Sequence, residues 1–347
     1  MRRAPADSAP AAMASVPCVP AEAGRSTDST AVRPAGAPKP PKRFKRVYIE
    51  ISNVCNLHCT FCPDVSRPKS FMDPVLFNEV AKAVAPLTEE VAFHLLGEPL
   101  LHPALESLVD ICRALDLPVH LTTNGLRLTP ARAKTLLNPI FRQINFSLQS
   151  FDDNFPGHDN TDYLRAIFEF TATALRRRPD LYLNYRLWND GAPGFGAAND
   201  RWIAEIKKNL GVDVVPARDL RWRKSVPLKG RVSLHFDSRF EWPRPDRPAR
   251  SDRGFCHGLS THFGVLTDGT VVPCCLDKDG VIDLGNLRTQ NLHEVLQSAR
   301  AEALRDGFQK AVLVEDLCRK CPFIARFDAK ARRIIAGQRS TPARPRP

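Results

Sequence analysis

The chain has 347 residues, long enough for one large domain with a smaller module attached. It carries 50 lysines and arginines against 38 aspartates and glutamates, a formal net charge of +12. The excess lies at the ends, because residues 1–46 hold nine basic and three acidic side chains and residues 326–347 hold seven and one. Residues 47–325 hold 34 charges of each sign, so the composition gives little support to a nucleic-acid-binding surface.

Hydropathy and cysteine content exclude further classes of protein. No run reaches the 18 or more apolar residues of a membrane helix. The N-terminal MRRAPADSAPAAMASVPC lacks the apolar stretch of a secretory signal. A chain without an export signal is expected in the cytoplasm, where thiols stay reduced. The ten cysteines therefore indicate metal binding rather than disulfides.

Between two expected tails, the alternation of apolar runs and amphipathic segments predicts an α/β fold with a parallel sheet. Residues 1–46 contain eight of the 30 prolines and almost no large apolar side chain, so we expect a disordered tail, and residues 326–347 a second, basic one. Residues 47–215 alternate short apolar runs with amphipathic segments, which is typical of β/α units. Strands are predicted at 47–51, 91–96, 119–123, 143–149, 181–187 and 212–215, and helices at about 73–85, 103–116, 129–138, 160–178 and 199–210. Such a sheet is either open and doubly wound or a partial barrel, and its ligand lies at the carboxyl ends of the strands.

A second, smaller unit follows a break in this alternation. Residues 216–253 are rich in Arg, Trp and Pro and predict a linker. Beyond it, two apolar runs flank Asp268-Gly269 and predict a β-hairpin over 262–274, and a helix is predicted at about 291–306. Residues 254–325 are therefore expected to form a hairpin and helix module that contains several cysteines.

The strongest motif is Cys55-Asn-Leu-His-Cys59-Thr-Phe-Cys62, directly after the first predicted strand. Three thiolates at this spacing can surround one face of a cubane iron–sulfur cluster and leave one iron without a protein ligand. A structural zinc site needs a fourth ligand. His58 is the local candidate, but it would require a very tight loop.

CxxxCx(aromatic)C after the first strand of a β/α repeat resembles the motif of the radical S-adenosylmethionine (SAM) superfamily. Further motifs stand at the ends of the next strands: Leu96-Gly97-Glu98-Pro99 where the family has GGEP, Thr122-Thr-Asn124-Gly, and Asn145-Phe-Ser147-Leu-Gln149. Leu96 replaces the first glycine of GGEP. The resemblance covers about residues 45–215 and implies a partial (β/α)6 TIM-like barrel.

The same resemblance implies the cofactors. Cys55, Cys59 and Cys62 would hold a 4Fe–4S cluster, and SAM would bind its open iron. Reductive cleavage of SAM would then give a 5′-deoxyadenosyl radical that removes a hydrogen atom from the substrate. The implied contacts to SAM are Phe61, Gly97, Glu98, Pro99, Asn124, Ser147, Gln149, Arg165 and Arg186. Phe61 would lie near the adenine, and the two arginines are candidates for the SAM carboxylate, although a surface role suits either of them as well.

A second group of cysteines lies in the C-terminal unit: Cys256, Cys274, Cys318 and Cys321. With Gly269 five residues before Cys274, it resembles the twitch module, a short relative of the SPASM domain of radical SAM enzymes. Cys274 is preferred to Cys275 because it keeps the family's Gly-x4-Cys spacing, and both cannot point the same way on a strand. The resemblance implies one auxiliary 4Fe–4S cluster, saturated by four thiolates and suited to electron transfer. Zinc is the alternative, since four cysteines ending in C-x2-C also suit a structural zinc site.

Two clusters in one enzyme imply a net two-electron oxidation. The expected function is a radical SAM oxidoreductase that acts on a small molecule or a peptide and is reduced by a flavodoxin or ferredoxin. RNA modification is an alternative based on the basic tails, and a non-catalytic zinc or iron–sulfur protein is an alternative of another class. The stretch Gly191–Gly196 is expected to form a loop over the site, because it lacks the Lys and Ser/Thr of a phosphate-binding loop.

Overall fold

The computed structural model describes residues 42–190, 195–213, 224–239 and 241–339. In this part of the chain, one sheet is formed by the strands β1 (Phe44–Ile49), β2 (Thr88–Ala92), β3 (Val119–Thr123), β4 (Phe141–Ser147), β5 (Tyr182–Asp190), β6 (Ser225–Lys229), β7 (Val232–Ser238), β8 (His262–Val265) and β9 (Val271–Val272). Their order across the sheet is β6-β7-β5-β4-β3-β2-β1-β8-β9. All pairs from β7 to β8 are parallel, and only the outer pairs β6–β7 and β8–β9 are antiparallel. The sheet stays open, which confirms the predicted partial barrel.

Helices follow the strands and pack on them in one apolar core. They are α1 (Pro74–Val84), α2 (Leu105–Ala114), α3 (Pro130–Leu136), α4 (Gln149–Asn154), α5 (Thr161–Arg177), α6 (Phe195–Leu210), α7 (Leu292–Leu296), α8 (Ala299–Gln309), α9 (Asp316–Arg319) and α10 (Asp328–Arg339), with 3-10 turns at Pro99–Leu101 and Pro322–Phe327. Local chemistry sets their bounds. At α1, the Asp73 side chain accepts hydrogen bonds from the amides of Val75 and Leu76, and Pro74 fits the first turn.

The two faces of the sheet differ in polarity: one packs on the helices, and the other carries polar side chains that line a cavity. On β5, Leu183, Tyr185 and Leu187 are buried in the core with the helices. The alternate residues Arg186 and Trp188 point the other way, into a cavity. The side of the barrel that a ligand can reach is therefore the polar one.

Residues 216–253, expected to form a linker, contain β6 and β7. β7 pairs in parallel with β5 and takes the place of the sixth strand predicted at 212–215. Residues 212 and 213 have no regular structure, and residues 214 and 215 lie outside the described part of the chain. The prediction is wrong because the Arg, Trp and Pro content of the region hides a period of two, in which Val232, Leu234 and Phe236 are buried and the residues between them are polar.

Other element bounds differ at the ends of predicted segments. β4 ends at Ser147, so Gln149 begins α4 instead of extending the strand. β1 begins at Phe44, inside the predicted N-terminal tail, because the Phe44 ring is fully buried against Phe263. α10 occupies much of the predicted basic tail, and its Ala331 is buried in a small apolar cluster with Phe255.

Some predictions concern residues outside the described part. Most of the N-terminal tail (1–41), the end of the C-terminal tail (340–347) and residues 191–194 of the glycine-rich loop lie there, while Gly196 belongs to α6. Within the described residues, no helix combines the length and the apolar character needed to cross a bilayer.

Candidate active site between two cysteine sets

One cavity of about 860 Å³ lies at the carboxyl ends of the strands, and both cysteine sets line it. Its volume is in the range of pockets that hold small-molecule ligands and cofactors. Its walls come from the loop after β1, the ends of β2 to β5, residues 237–239, residues 242–243 and the C-terminal module. This is the edge of a parallel α/β sheet at which ligands bind.

The first set, Cys55, Cys59 and Cys62, lies in the loop that follows β1. The Cys62 amide donates to the Cys59 carbonyl at 3.0 Å, which folds the second half of the motif into a turn. The neighbouring Cys62 thiol holds the pKa of the Cys59 thiol below its usual range. The three thiols thus share one wall of the cavity, as ligands of a common cluster require.

The helix α4 fixes this loop through polar contacts. The Asn154 side chain accepts from the His58 amide at 2.8 Å and donates to Cys59 Sγ at 3.1 Å. Asp153 accepts from Thr60 Oγ1 at 2.7 Å and pairs with Arg239 at 2.9 Å. Nothing in the sequence indicated these residues, because a short helix with Asp-Asp-Asn resembles an ordinary solvated surface.

The predicted GEP motif ties the ends of β2 and β3 to the cysteine loop. Gly97 has a φ of +73°, and a Cβ there would lie 2.3 Å from the Ser52 carbonyl oxygen, so only glycine fits. Glu98 is buried and accepts hydrogen bonds from Thr123 Oγ1 and the Asn124 amide, both at 2.7 Å, and from the Leu100 amide at 2.9 Å. A carboxylate has about four acceptor positions. One of them is therefore left for a donor in the cavity.

The other predicted SAM contacts divide into two groups. Phe61, Asn124, Ser147, Gln149 and Arg186 line the cavity with Gly97 and Glu98, whereas Pro99 and Arg165 do not. Pro99 is buried in a 3-10 turn, and Arg165 is an exposed residue of α5 that pairs with Asp162. The predicted contact of Arg165 with a ligand in this cavity is wrong, because the helix carries its side chain into solvent. Gln149 Oε1 is buried without a partner in the described residues, as expected of an atom that awaits a ligand.

The second set, Cys256, Cys274, Cys318 and Cys321, lines the same cavity. Cys256 precedes β8, Cys274 follows β9, and Cys318 and Cys321 flank the end of α9. Burial raises the pKa of Cys274 strongly, and the neighbouring thiols of Cys256, Cys275 and Cys318 add to the shift. Burial also raises the pKa of Cys275 to about 11, with Tyr48 opposing the shift and the Cys256 thiol adding to it. Both thiols thus lie near Cys256, and the preference for Cys274 as the ligand stays a prediction.

Zinc is the alternative to iron–sulfur in the second set, and Cys112 and Cys18 belong to neither set. Among the residues that the structure describes, no three Cys, His, Asp or Glu side chains are grouped for a single metal ion. Cys112 is buried in α2 within the apolar core and does not line the cavity. Cys18 lies outside the described residues.

A buried ion pair docks the C-terminal module on the barrel. Arg67, in the loop after the cysteine motif, donates to both carboxylate oxygens of Glu50 at 2.8 Å and to the Lys278 carbonyl at 2.8 Å. Glu50 also accepts from the Thr267 amide at 3.1 Å, and Ser70 donates to Thr267 Oγ1 at 3.0 Å. These contacts connect the loop after the first cysteine set to the module that carries the second.

An open parallel barrel with three thiols after its first strand and four thiols in an attached module defines an iron–sulfur enzyme. Comparison with known proteins identifies the family: the radical SAM superfamily matches residues 49–185, and SPASM, an iron-sulfur cluster-binding domain, matches residues 256–322. The chain belongs to the radical SAM superfamily and carries a C-terminal SPASM domain. Its cofactors are accordingly a 4Fe–4S cluster, SAM and further iron–sulfur binding in the C-terminal domain.

Similar proteins differ in the reaction that they catalyse. GTP 3′,8-cyclase of Aquifex aeolicus is 25% identical over 249 residues, 67% of this chain and 76% of the cyclase. The S-adenosyl-L-methionine-dependent 2-deoxy-scyllo-inosamine dehydrogenase of Niallia circulans is 33% identical over 112 residues, 27% of this chain and 41% of the dehydrogenase.

Two solved structures share the fold. BtrN in complex with AdoMet and 2-DOIA is 18% identical, with a TM-score of 0.52 over 81% of this chain and 94% of that chain. SuiB of Streptococcus suis bound to precursor peptide SuiA is 13% identical, with a TM-score of 0.52 over 80% of this chain and 71% of that chain.

Proposed function

We propose that the protein is a radical SAM oxidoreductase that removes two electrons from a small-molecule or peptide substrate. One observation carries the proposal: the three thiols of the first set and the four of the second all line a single cavity. A substrate in such a cavity shares it with both the hydrogen-abstracting centre and an electron acceptor. The names of the similar dehydrogenase and of the peptide-bound structure keep both substrate classes open.

The donor sets fit the cofactors that the family uses. Cys55, Cys59 and Cys62 suit a cluster with one open iron, and Cys256, Cys274, Cys318 and Cys321 suit a saturated one. The free acceptor position of Glu98 suits the ammonium group of SAM. The unpartnered Gln149 Oε1 and the Ser147 hydroxyl suit its other polar groups, and the Phe61 ring suits the adenine.

When loaded, SAM and the first cluster supply a carbon radical that takes a hydrogen atom, and the auxiliary cluster supplies an electron acceptor. The substrate then loses one hydrogen atom, one proton and one electron, a net loss of two electrons and two protons. The residues of the cavity wall orient the substrate. An external electron donor of the flavodoxin or ferredoxin type reduces the protein for the next turnover. Cys62 is the most exposed thiol of the first set, so an electron from outside would enter near it.

Anaerobic reconstitution with iron and sulfide, followed by SAM and dithionite, tests the proposal. The wild type and Cys112→Ala, a matched control outside both sets, should form 5′-deoxyadenosine, and Cys55→Ala should not. Cys318→Ala should still form 5′-deoxyadenosine but should yield no oxidised product from a substrate that the wild type oxidises. If the iron-loaded wild type forms no 5′-deoxyadenosine, the proposal that the protein is a radical SAM oxidoreductase is wrong. If Cys318→Ala still yields an oxidised product, the proposal that the second cysteine set holds the electron acceptor is wrong.

A further inference from the structure

The last part of the region expected to form a linker contacts both cysteine loops. Residues 241–250, the connecting segment, join the barrel to the C-terminal module. Trp242, near the start of the segment, contacts the loop of the first set, and Arg250, at its end, contacts the loop of the second. A slack tether between two modules would not be anchored to a cysteine loop at each end.

The contacts at the first end fix Phe61, the aromatic residue of the first cysteine motif. Trp242 Nε1 donates to the Phe61 carbonyl oxygen at 3.2 Å, and both residues line the cavity. Arg239, the residue after β7, has its guanidinium carbon 5.4 Å from the centroid of the Phe61 ring and donates to Thr60 Oγ1 at 3.1 Å. One contact fixes the peptide of Phe61 and the other its ring. The orientation of this side chain therefore depends on residues outside its own loop.

The far end of the connecting segment is held by the C-x2-C pair of the second set. Lys320, between the two cysteines, donates to the Pro245 carbonyl oxygen at 2.6 Å. The Arg250 guanidinium donates to the carbonyl oxygen of Pro322, the residue after the second cysteine, at 2.9 Å. The Arg250 amide donates to the Arg319 carbonyl oxygen at 2.8 Å. A change in the shape of the C-x2-C loop would therefore move the anchors of the segment.

The connecting segment is stiff. Three of its ten residues are prolines, whose φ is fixed. Two ion pairs also close within it, Arg244 with Asp246 and Arg247 with Glu241. Exposed pairs of this kind contribute little energy, so the prolines supply most of the stiffness. A stiff segment passes a displacement from one end to the other, whereas a glycine-rich linker would absorb it.

We propose that the connecting segment makes SAM binding at the first cysteine set depend on the second set, with Trp242 and Arg250 as the positioning residues at its two ends. A filled second set fixes the C-x2-C loop, the loop fixes the segment, and the segment fixes Phe61, whose ring suits the adenine. Trp242 acts through Phe61 and needs no contact with SAM. This inference rests on the proposed function and adds a coupling between its two cofactor sites. Such a coupling is reciprocal, so SAM should also stabilise the second set.

The affinities of the reconstituted protein for SAM and for L-methionine, measured by calorimetry, test the coupling. Methionine carries the amino and carboxylate groups of SAM but no adenosyl group, so its affinity should not depend on Phe61. Trp242→Phe keeps an aromatic ring and removes the N–H donor. Because one hydrogen bond is lost, the Kd for SAM should rise about three- to tenfold, and the Kd for methionine should stay within about twofold of wild type.

Substitutions at the far end test whether the segment transmits the effect. The double variant Arg250→Met/Lys320→Met removes both side-chain contacts with the C-x2-C pair, and the Kd for SAM should rise about threefold or more at unchanged iron content. Arg244→Met is the matched control, since its partner in the described part of the chain is Asp246 of the same segment, and it should change neither Kd. Added to Trp242→Phe, the double variant should change the Kd for SAM by less than about twofold, because the segment no longer reaches the first loop.

Four results contradict the coupling: an unchanged Kd for SAM in Trp242→Phe, equal losses of SAM and methionine affinity in that variant, an unchanged Kd for SAM in Arg250→Met/Lys320→Met, and additive losses when both ends are changed. If the double variant lowers the iron content, Arg250→Met alone takes its place, with an expected loss of SAM affinity of about threefold. The proposed function is measured separately, by formation of 5′-deoxyadenosine and oxidised product in the wild type. Their absence contradicts the oxidoreductase, whereas the affinities alone decide the coupling.

Discussion

Arg67 makes the ion pair with the clearest measurable consequence. Its partner Glu50 is fully buried at the end of β1, and among the described residues its donors are Arg67 and the Thr267 amide. Replacement of Arg67 by Met removes the one cation that the carboxylate contacts in the described part of the chain and leaves a buried charge without its partner. Loss of one member of a buried pair costs about 3–5 kcal/mol of unfolding free energy. At about 2–3 °C per kcal/mol for a protein of this size, the Tm should fall by roughly 6–15 °C.

The cost of Arg67→Met should depend on pH with a defined sign. Burial raises the pKa of Glu50 to about 7, against an unfolded value of 4.5. A carboxyl whose folded pKa is raised favours folding below its unfolded pKa and loses that contribution as the pH rises through the folded pKa. Without Arg67 the folded pKa rises further, because its main opposing cause is removed. The difference in Tm between variant and wild type should therefore be smaller at about pH 6 than at about pH 8.

Thermal unfolding followed by circular dichroism under anaerobic conditions measures both effects on the reconstituted protein. The double variant Glu50→Gln/Arg67→Met is the control, because it removes both charges and should recover most of the lost Tm. A Tm for Arg67→Met within about 1 °C of wild type, or a larger deficit at pH 6 than at pH 8, refutes the reasoning. Either result would mean that the pair does not hold the module on the barrel.

Two further substitutions test the walls of the SAM site. Gly97→Ala places a Cβ 2.3 Å from the Ser52 carbonyl oxygen at a φ of +73°, so the backbone of the motif must shift. The affinity for SAM, measured by calorimetry, should therefore fall at least tenfold. Unchanged affinity would show that the backbone of the motif does not hold the cofactor. Asn154→Ala removes a hydrogen bond to Cys59 Sγ, so the reduction potential of the first cluster, measured by redox titration with electron paramagnetic resonance, should become more negative. Thr60→Val loosens the same loop without a sulfur contact and should leave that potential unchanged; equal shifts in the two variants would assign Asn154 a merely structural role.

Much of the fold could be predicted from local patterns of the sequence. The third strand at 119–123 and the first helix agree with the structure to within two residues, because apolar runs, the Asp73 cap and Pro74 are local signals. The hairpin around Asp268-Gly269 is confirmed for the same reason. β7 was missed because its alternation is embedded among prolines and arginines, and its place beside β5 depends on pairing over 49 residues of sequence, as between Leu183 and Val232.

The cysteine motifs could be read from spacing alone, but their surroundings could not. Arg67 meets Glu50 across 17 residues and Thr267 across 200, so no window of sequence connects them. Asn154 reaches Cys59 from 95 residues away through the position of α4. Arg165 and Arg186 resemble each other in sequence, and only the fold shows that one is in solvent and the other in the cavity.

We expect the two separate cysteine sets to hold two clusters around one cavity. Iron and sulfide per chain after anaerobic reconstitution test it most directly, in wild type, the triple variant Cys55/Cys59/Cys62→Ala, the quadruple variant Cys256/Cys274/Cys318/Cys321→Ala and the control Cys275→Ala. We expect about eight irons in wild type and in Cys275→Ala, and about four in each multiple variant. About four irons in wild type, or zinc in the second set, would contradict the claim.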